Sequence, residues 1–277
     1  MTDLPGAPSA SLLGRATSYP RQYDPDLLHP IARAAGRAAL PPAALRTLQG
    51  TDFWTAFELS WLGPRGMPRV AVAEIAVPCT SPNIVESKSL KLYLNSLNDT
   101  RFATSDAVAA RMRTDISACC DVPVEVSLHN LGDYARQGIR QPVGECLDAI
   151  ELDDPGFAPD VANLCAAPGT RVAEVLYSDL LKTNCPVTGQ PDWATVVVDY
   201  CGPRIDRAGL LAYILSFRHH SDFHEHCVER MFCDLWCRAQ PERLSLMARY
   251  TRRGGIDINP WRSSGWGAPP LGRLVRQ

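Results

Sequence analysis

Cys185 lies in the segment Lys182, Thr183, Asn184, Cys185, Pro186, Val187, Thr188, Gly189, Gln190, Pro191, Asp192. Pro186, Gly189 and Pro191 bend this stretch, so neither Cys185 nor Asp192 belongs inside a regular helix. A thiol and a carboxylate held on one turn are the minimum equipment for nucleophilic chemistry with proton delivery. The plainer alternative is a buried cysteine beside a turn aspartate, since free cysteine is among the most buried residue types.

Three other segments carry groups of interest. In Glu86, Ser87, Lys88, Ser89, Leu90, Lys91, Leu92, Tyr93, the two lysines share a helix face. The Ser87 hydroxyl and the Lys88 ammonium suit a phosphate. Asn83 and Glu86 also have capping-box spacing, which would make Glu86 a structural residue. In the stretch from His219 to Cys227, His220 and His224 are four apart and Cys227 is three further, so a metal site is open on spacing. No second ligand pair accompanies them. Asp222 and Glu225 again show capping-box spacing, which puts His224 and Glu225 at a helix start, where a carboxylate can accept the N–H edge of a purine-like base. In Thr251, Arg252, Arg253, Gly254, Gly255, the arginines and the flexible glycines could cradle phosphate or form an ordinary tight turn. Neither GxGxxG after a strand nor GxxxxGK[ST] occurs, so a Rossmann site and a P-loop are unsupported.

The elements that must position these groups follow from periodicity. The chain has 277 residues, 45% hydrophobic and 21% charged, with net charge −2. That balance describes a globular chain without a field that would draw in nucleic acid or an anionic membrane. No apolar run approaches the ~20 residues of a membrane span, and no secretory signal pattern opens the sequence. Ten dispersed cysteines without a CxxC pair fit free thiols in a reducing cytoplasm. Strands are expected at 70–77, 123–129, 193–200 and 244–251, and helices at 105–117 (capped by Ser105), 206–217 and 222–238. Residues 1–48 read as an irregular arm with a short helix. The stretch 90–97 aligns with 210–217 through matching Leu, Tyr and Ser, which places Glu86 opposite Asp206. Two related α+β modules result, at 49–150 and 151–277, each with helices on one face of antiparallel strands.

Four segments together resemble one family. The run from Glu86 to Tyr93 is similar to the signature of the nitrile reductases that convert 7-cyano-7-deazaguanine to 7-aminomethyl-7-deazaguanine in queuosine biosynthesis. The stretches from Asn184 to Trp193, from Phe217 to Glu225 and from Tyr250 to Trp261 match the same family, in the order of its longer, bimodular type. The resemblance implies a tunnelling fold, a homodimer, a small deazapurine substrate, NADPH as cofactor and no metal. It implies Cys185 as nucleophile and Asp192 as proton donor. It implies His224 and Glu225 as one substrate-binding pair, and Val85, Glu86 and Ser87 as a second substrate-binding segment. Ser87 with Lys88, and Arg253 with Gly254, match positions that contact NADPH. Two further readings stay open: a zinc-dependent cyclohydrolase-type enzyme on the same fold, and a purine-binding module without catalysis.

Overall fold

In the computed structural model, residues 20–270 and 272–277 are described. Residues 1–19 of the expected arm lie outside them. In chain order the elements are β1 (Pro30–Ala32), α1 (Arg33–Arg37), α2 (Pro42–Thr47), β2 (Gln49–Leu62), β3 (Pro68–Pro78), β4 (Asn83–Val85), α3 (Ser87–Ser96), α4 (Ser105–Cys120), β5 (Glu125–His129) and α5 (Leu131–Ala135). They continue with β6 (Glu145–Cys146), β7 (Ala166–Asn184), β8 (Pro191–Ile205), α6 (Arg207–Ser216), α7 (His224–Ala239), β9 (Arg243–Tyr250) and β10 (Ile256–Ser263). The fold is α+β, with long, mainly antiparallel strands and two helix pairs. Among the described residues no helix is long and apolar enough to cross a membrane.

Two compact units divide the chain. The first holds Met1–Ala35, Asp52–Gly138 and Arg252–Ile258. Here β3 lies between β2 and β5, and pairs with β5 antiparallel from Val72 opposite His129 to Ala76 opposite Glu125. Alternate residues Ala71, Ala73, Ile75 and Val77 pack against Leu90, Tyr93 and Leu94 of α3 and Val108, Met112 and Ile116 of α4. The two-residue period of a strand thus meets the 3.6-residue period of two helices across one core. The strand expected at 70–77 and the helix at 105–117 are both present. The helix cap is Thr104 rather than Ser105, because its hydroxyl accepts from Ala107 N. Residues 20–48 hold more structure than one helix: β1 pairs with β4, and the buried Arg33 side chain pairs with Asp52 and donates to Ser81 Oγ at 2.9 Å.

The second unit holds Gly36–Thr51, Ile139–Thr251 and Asn259–Gln277. Its backbone is the β7–β8 hairpin, with β6 outside β7 and with β9 outside β8. The hydrophobic run expected as a strand at 193–200 is only part of β8, which starts at Pro191, ends at Ile205 and is buried continuously from Ala194 to Val198. Helix α7 buries Cys227, Val228, Met231, Phe232, Cys233 and Leu235 completely. It begins at His224, and the expected capping box is absent: Asp222 accepts from Phe223 N at 2.7 Å and contacts His226 Nδ1 at 3.1 Å instead.

The internal repeat is visible as chemistry. Glu86 and Asp206 are the N-caps of α3 and α6, each accepting backbone N–H groups. Tyr93 donates to Asp115 of α4 at 2.7 Å, and Tyr213 donates to Asp234 of α7 at 2.6 Å. Ser96 and Ser216 donate to the carbonyls of those tyrosines, both at 2.6 Å. Each second helix ends on a left-handed residue, Asp121 (φ 57) or Gln240 (φ 48).

Glu229 of α7 is a fully buried charge in the second unit. It accepts from both Arg37 (2.7 and 2.7 Å) and the fully buried Arg262 (2.9 Å). Removing one partner of a buried ion pair strands the other. Glu229→Leu is therefore expected to destabilise the protein by about 3–5 kcal/mol, read as a lower urea midpoint.

Candidate active site

The β7–β8 hairpin builds the Cys185 end from backbone pairing. Thr183 stands opposite Asp192 and Asn184 opposite Pro191. The pairing extends one step further, with Cys185 N donating to Gln190 O at 2.8 Å. Gly189 N closes the turn onto Cys185 O at 3.0 Å, and Gly189 has φ +67, a conformation that favours glycine. Strand alternation then puts Cys185 on the face shared by Thr183 and Asp192. The Cys185 thiol is free and half-buried, whereas Asp192 is buried. The hairpin end is pinned from the side: Asn184 N donates to His220 O at 2.8 Å and Asp222 N donates to Asn184 O at 3.2 Å. Lys182 Nζ ties Asn184 Oδ1 (2.8 Å) to Arg218 O (2.7 Å).

Helix α7 brings the second set of groups. His224, its first residue, reaches Asp192 with Nε2 3.3 Å from Oδ2. The imidazole lies flat on the Tyr250 ring, with centroids 3.7 Å apart and planes 2° apart. Its Nδ1 is buried and has no hydrogen-bond partner among the described residues. Glu225 follows, 2% exposed. Cys227 points away into the core, where burial, helped by Asp222 and Asp192, pushes its thiol pKa well above the usual value. His220 packs edge-on against Phe217, and burial lowers its pKa. The three residues whose spacing left a metal site open thus have different nearest contacts: Phe217 and Asp222 for His220, Asp192 and Tyr250 for His224, and the core for Cys227. Among the described residues no set of three His, Cys, Asp or Glu side chains converges as a ligand group.

The first unit holds the remaining candidates. Val85 ends β4 and is buried. Glu86 is 3% exposed, and its two oxygens accept from Lys88 N and Ser89 N, both at 2.8 Å. The Asn83–Glu86 capping box is not formed. Glu86 is itself the cap, and Asn83 donates to Cys119 O. Ser87 and Lys88 open α3 immediately afterwards. Arg253 N and O exchange hydrogen bonds with Ile256 at 2.9 and 3.1 Å, so Gly254 and Gly255 form a two-residue turn with φ +57 and +79. A β-carbon on Gly254 would lie 2.9 Å from Lys91 Nζ, and one on Gly255 would overlap the Glu58 carboxyl group. Lys91 and Glu58 are themselves 3.5 Å apart. The glycine turn therefore lies directly against α3 and places Gly254 beside a lysine. A bare backbone turn with cationic side chains around it is suited to phosphate.

The structure thus brings Cys185, Asp192, His224 and Glu225 together on the second unit. It groups Glu86, Ser87 and Lys88, with the Arg253–Gly254 turn, on the first. Sequence reading missed Tyr250 as a site residue. Its sequence signals were the alternation that put it on one face of β9 and its place at the head of the family-like stretch from Tyr250 to Trp261.

His226 supplies a pH dependence next to this site. Burial alone would lower its pKa, but Asp222 with Glu225 and Glu229 outweighs burial and raises the pKa above 6.5. The folded state therefore holds this proton more tightly than the unfolded chain. The resulting stabilisation is complete below about pH 6.5 and is lost as pH rises through the higher folded pKa. Melting temperature measured across that window should fall with rising pH, and Asp222→Asn should flatten that part of the profile. An unchanged slope in the variant would refute the pairing.

Known proteins resemble this chain along nearly its whole length. Residues 19–128 match the family model described as nitrile reductase, 7-cyano-7-deazaguanine-reductase N-term, and residues 191–267 match that of the QueF-like protein. A protein of Stenotrophomonas maltophilia (strain R551-3) is 55% identical over 261 residues, covering 93% of each chain. One from Bordetella pertussis is 50% identical over 266 residues, covering 96% of this chain and 97% of its own. One from Albidiferax ferrireducens is 51% identical over 272 residues, covering 93% of this chain and 94% of its own. All three relatives carry the name NADPH-dependent 7-cyano-7-deazaguanine reductase. With half or more of its residues identical to these proteins over nearly its whole length, the chain belongs to the 7-cyano-7-deazaguanine reductase family of nitrile reductases.

Proposed function

We propose that this protein reduces the nitrile of 7-cyano-7-deazaguanine to the primary amine of 7-aminomethyl-7-deazaguanine, with NADPH as reductant, as a cytoplasmic step of queuosine biosynthesis. The observation that carries the reading is the hairpin that puts a half-buried thiol, Cys185, on the same face as the buried Asp192, which His224 meets at 3.3 Å.

A nitrile carbon resists direct hydride attack. The Cys185 thiolate adds to it, forming a C–S bond, and the displaced π pair moves to nitrogen. Asp192 delivers the proton that nitrogen then needs, which leaves a thioimide on Cys185. Bound NADPH supplies hydride, twice per nitrile. Breaking the C–S bond between the two reductions returns the electron pair to Cys185. Glu225 and His224 hold the base, with Val85, Glu86 and Ser87 as the second substrate-binding segment. A carboxylate offers about four lone-pair sites, so Glu86 can cap α3 and still accept from a ligand N–H. Ser87, Lys88, Arg253 and Gly254 hold the cofactor phosphates. The repeated helix pairs support a tunnelling-fold module in each half, and the family resemblance implies assembly as a homodimer.

Mixing protein with the cyano substrate in the absence of NADPH should give a covalent adduct by mass spectrometry. Cys185→Ala should give none, and an adduct in that variant would sink the mechanism. Asp192→Asn should slow adduct formation by about 10²-fold or more. Arg253→Ala is expected to raise the KM for NADPH by about tenfold, the equivalent of ~1.4 kcal/mol, while adduct formation without NADPH stays at the wild-type rate.

A further inference from the structure

His224 is held weakly by its hydrogen bonds. Its Nδ1 has no hydrogen-bond partner among the described residues, and its Nε2 contact to Asp192, at 3.3 Å, is longer than the 2.7–2.9 Å of a strong charge-assisted bond. It is also the first residue of α7, where the helix has only begun to restrain it. The outer torsion of a histidine is broad and soft. What fixes the imidazole plane is the ring beneath it, parallel within 2° at 3.7 Å.

That ring is itself immobilised. Tyr250 is fully buried at the end of β9, paired opposite Ala194 of β8. Its N–H donates to Asn259 Oδ1 at 3.1 Å, and its carbonyl accepts from Gln277 Nε2 at 2.9 Å. Gln277 is 4% exposed and also accepts from Leu274 N through Oε1. The phenol hydroxyl is enclosed beside Thr183, the residue opposite Asp192 on the hairpin. A flat aromatic face of this kind restrains an imidazole against tilting while leaving rotation in its own plane to the Asp192 contact.

We propose that Tyr250 is a positioning residue: it sets the plane of His224, and so aims the imidazole at Asp192 and at the atom that Cys185 attacks. The proposal rests on the nitrile-reductase reading for its chemistry. In this role Tyr250 acts only through His224, so its loss should have no effect once His224 is gone.

The test is a double-mutant cycle on adduct formation with 7-cyano-7-deazaguanine in the absence of NADPH. Tyr250→Phe keeps the stack and should stay within about twofold of wild type. Tyr250→Leu removes it and should slow adduct formation by about 10- to 100-fold, the order expected for misplacing a reacting group by an ångström. Substrate Kd should change by less than about threefold, because the loss falls on the chemical step. In a His224→Ala background, Tyr250→Leu should cost nothing more. A wild-type rate in Tyr250→Leu, or an equal loss with and without His224, overturns the proposal.

An NMR readout keeps the test independent of activity. The His224 ring protons should lie upfield in wild type and Tyr250→Phe, and should lose that ring-current shift in Tyr250→Leu. If wild type forms no adduct, the nitrile reading fails, and the stack is still judged by this signal, whose persistence in Tyr250→Leu overturns it. Should Tyr250→Leu not fold, Gln277→Ala removes the bond to the tyrosine carbonyl, together with the one from Leu274 N, and keeps the phenol ring itself. It should slow adduct formation about threefold or more with His224 present and not at all without it. A wild-type rate there also overturns the role.

Discussion

The register of one antiparallel pairing, β7 against β8, decides the chemistry of the second unit. Side chains alternate along a strand, so a slip of one residue would turn Thr183 and Cys185 to the opposite face and leave Asp192 without them. The pairing is not a simple ladder. It shifts between Ala167 and Arg171 and again between Ser178 and Leu181. The second irregularity is stapled: Asp148 accepts from Ser178 Oγ at 2.6 Å and from Asp179 N at 2.9 Å, and Ser178 Oγ accepts from Leu180 N. Asp179 in turn bonds Thr195 on β8 and Arg276. A bulge adds a residue to one strand and re-aims everything beyond it. The segment before β7 thus helps set which way Cys185 faces, although it contributes no reactive group.

The two helix pairs show how one design serves two tasks. In both, an acid caps the first helix, a tyrosine on that helix donates to an aspartate on the second, and a serine closes back on the tyrosine carbonyl. Burial raises the Tyr213 and Asp234 pKa values, so the pair favours the neutral phenol and a carboxyl group reluctant to ionise. In the first unit the capping acid, Glu86, is also a proposed substrate contact. In the second, the start of α7 carries that role through His224 and Glu225, and Asp206 is left to cap alone. The scaffold is repeated, and different positions on each helix pair carry the proposed contacts.

Some of the site was open to sequence reading because its determinants are local. Pro186, Gly189 and Pro191 announce a turn, and the turn holds Cys185 within reach of the strand that bears Asp192. The glycine pair after Arg253 announces another. The Asp222–Glu225 spacing put His224 and Glu225 at a helix start, and α7 does begin at His224 although the box itself does not form. Capping was misread twice for the same reason. Asn83–Glu86 and Asp222–Glu225 have the spacing of a capping box, but spacing does not say which oxygen faces the helix. Asn83 sits on a strand and turns to Cys119, and Asp222 is engaged by Phe223 N and His226.

By itself, then, the sequence determined the turns, the helix periods, the repeat and the reactive residue types, because each depends on neighbours a few positions away. Tertiary structure alone decided the bulged register that turns Cys185 and Asp192 to one face. It also decided the partners of Glu229 and the flat contact of Tyr250 on His224. Those depend on side chains tens of residues apart, whose orientation exists only once the strands have paired and the helices have packed over them.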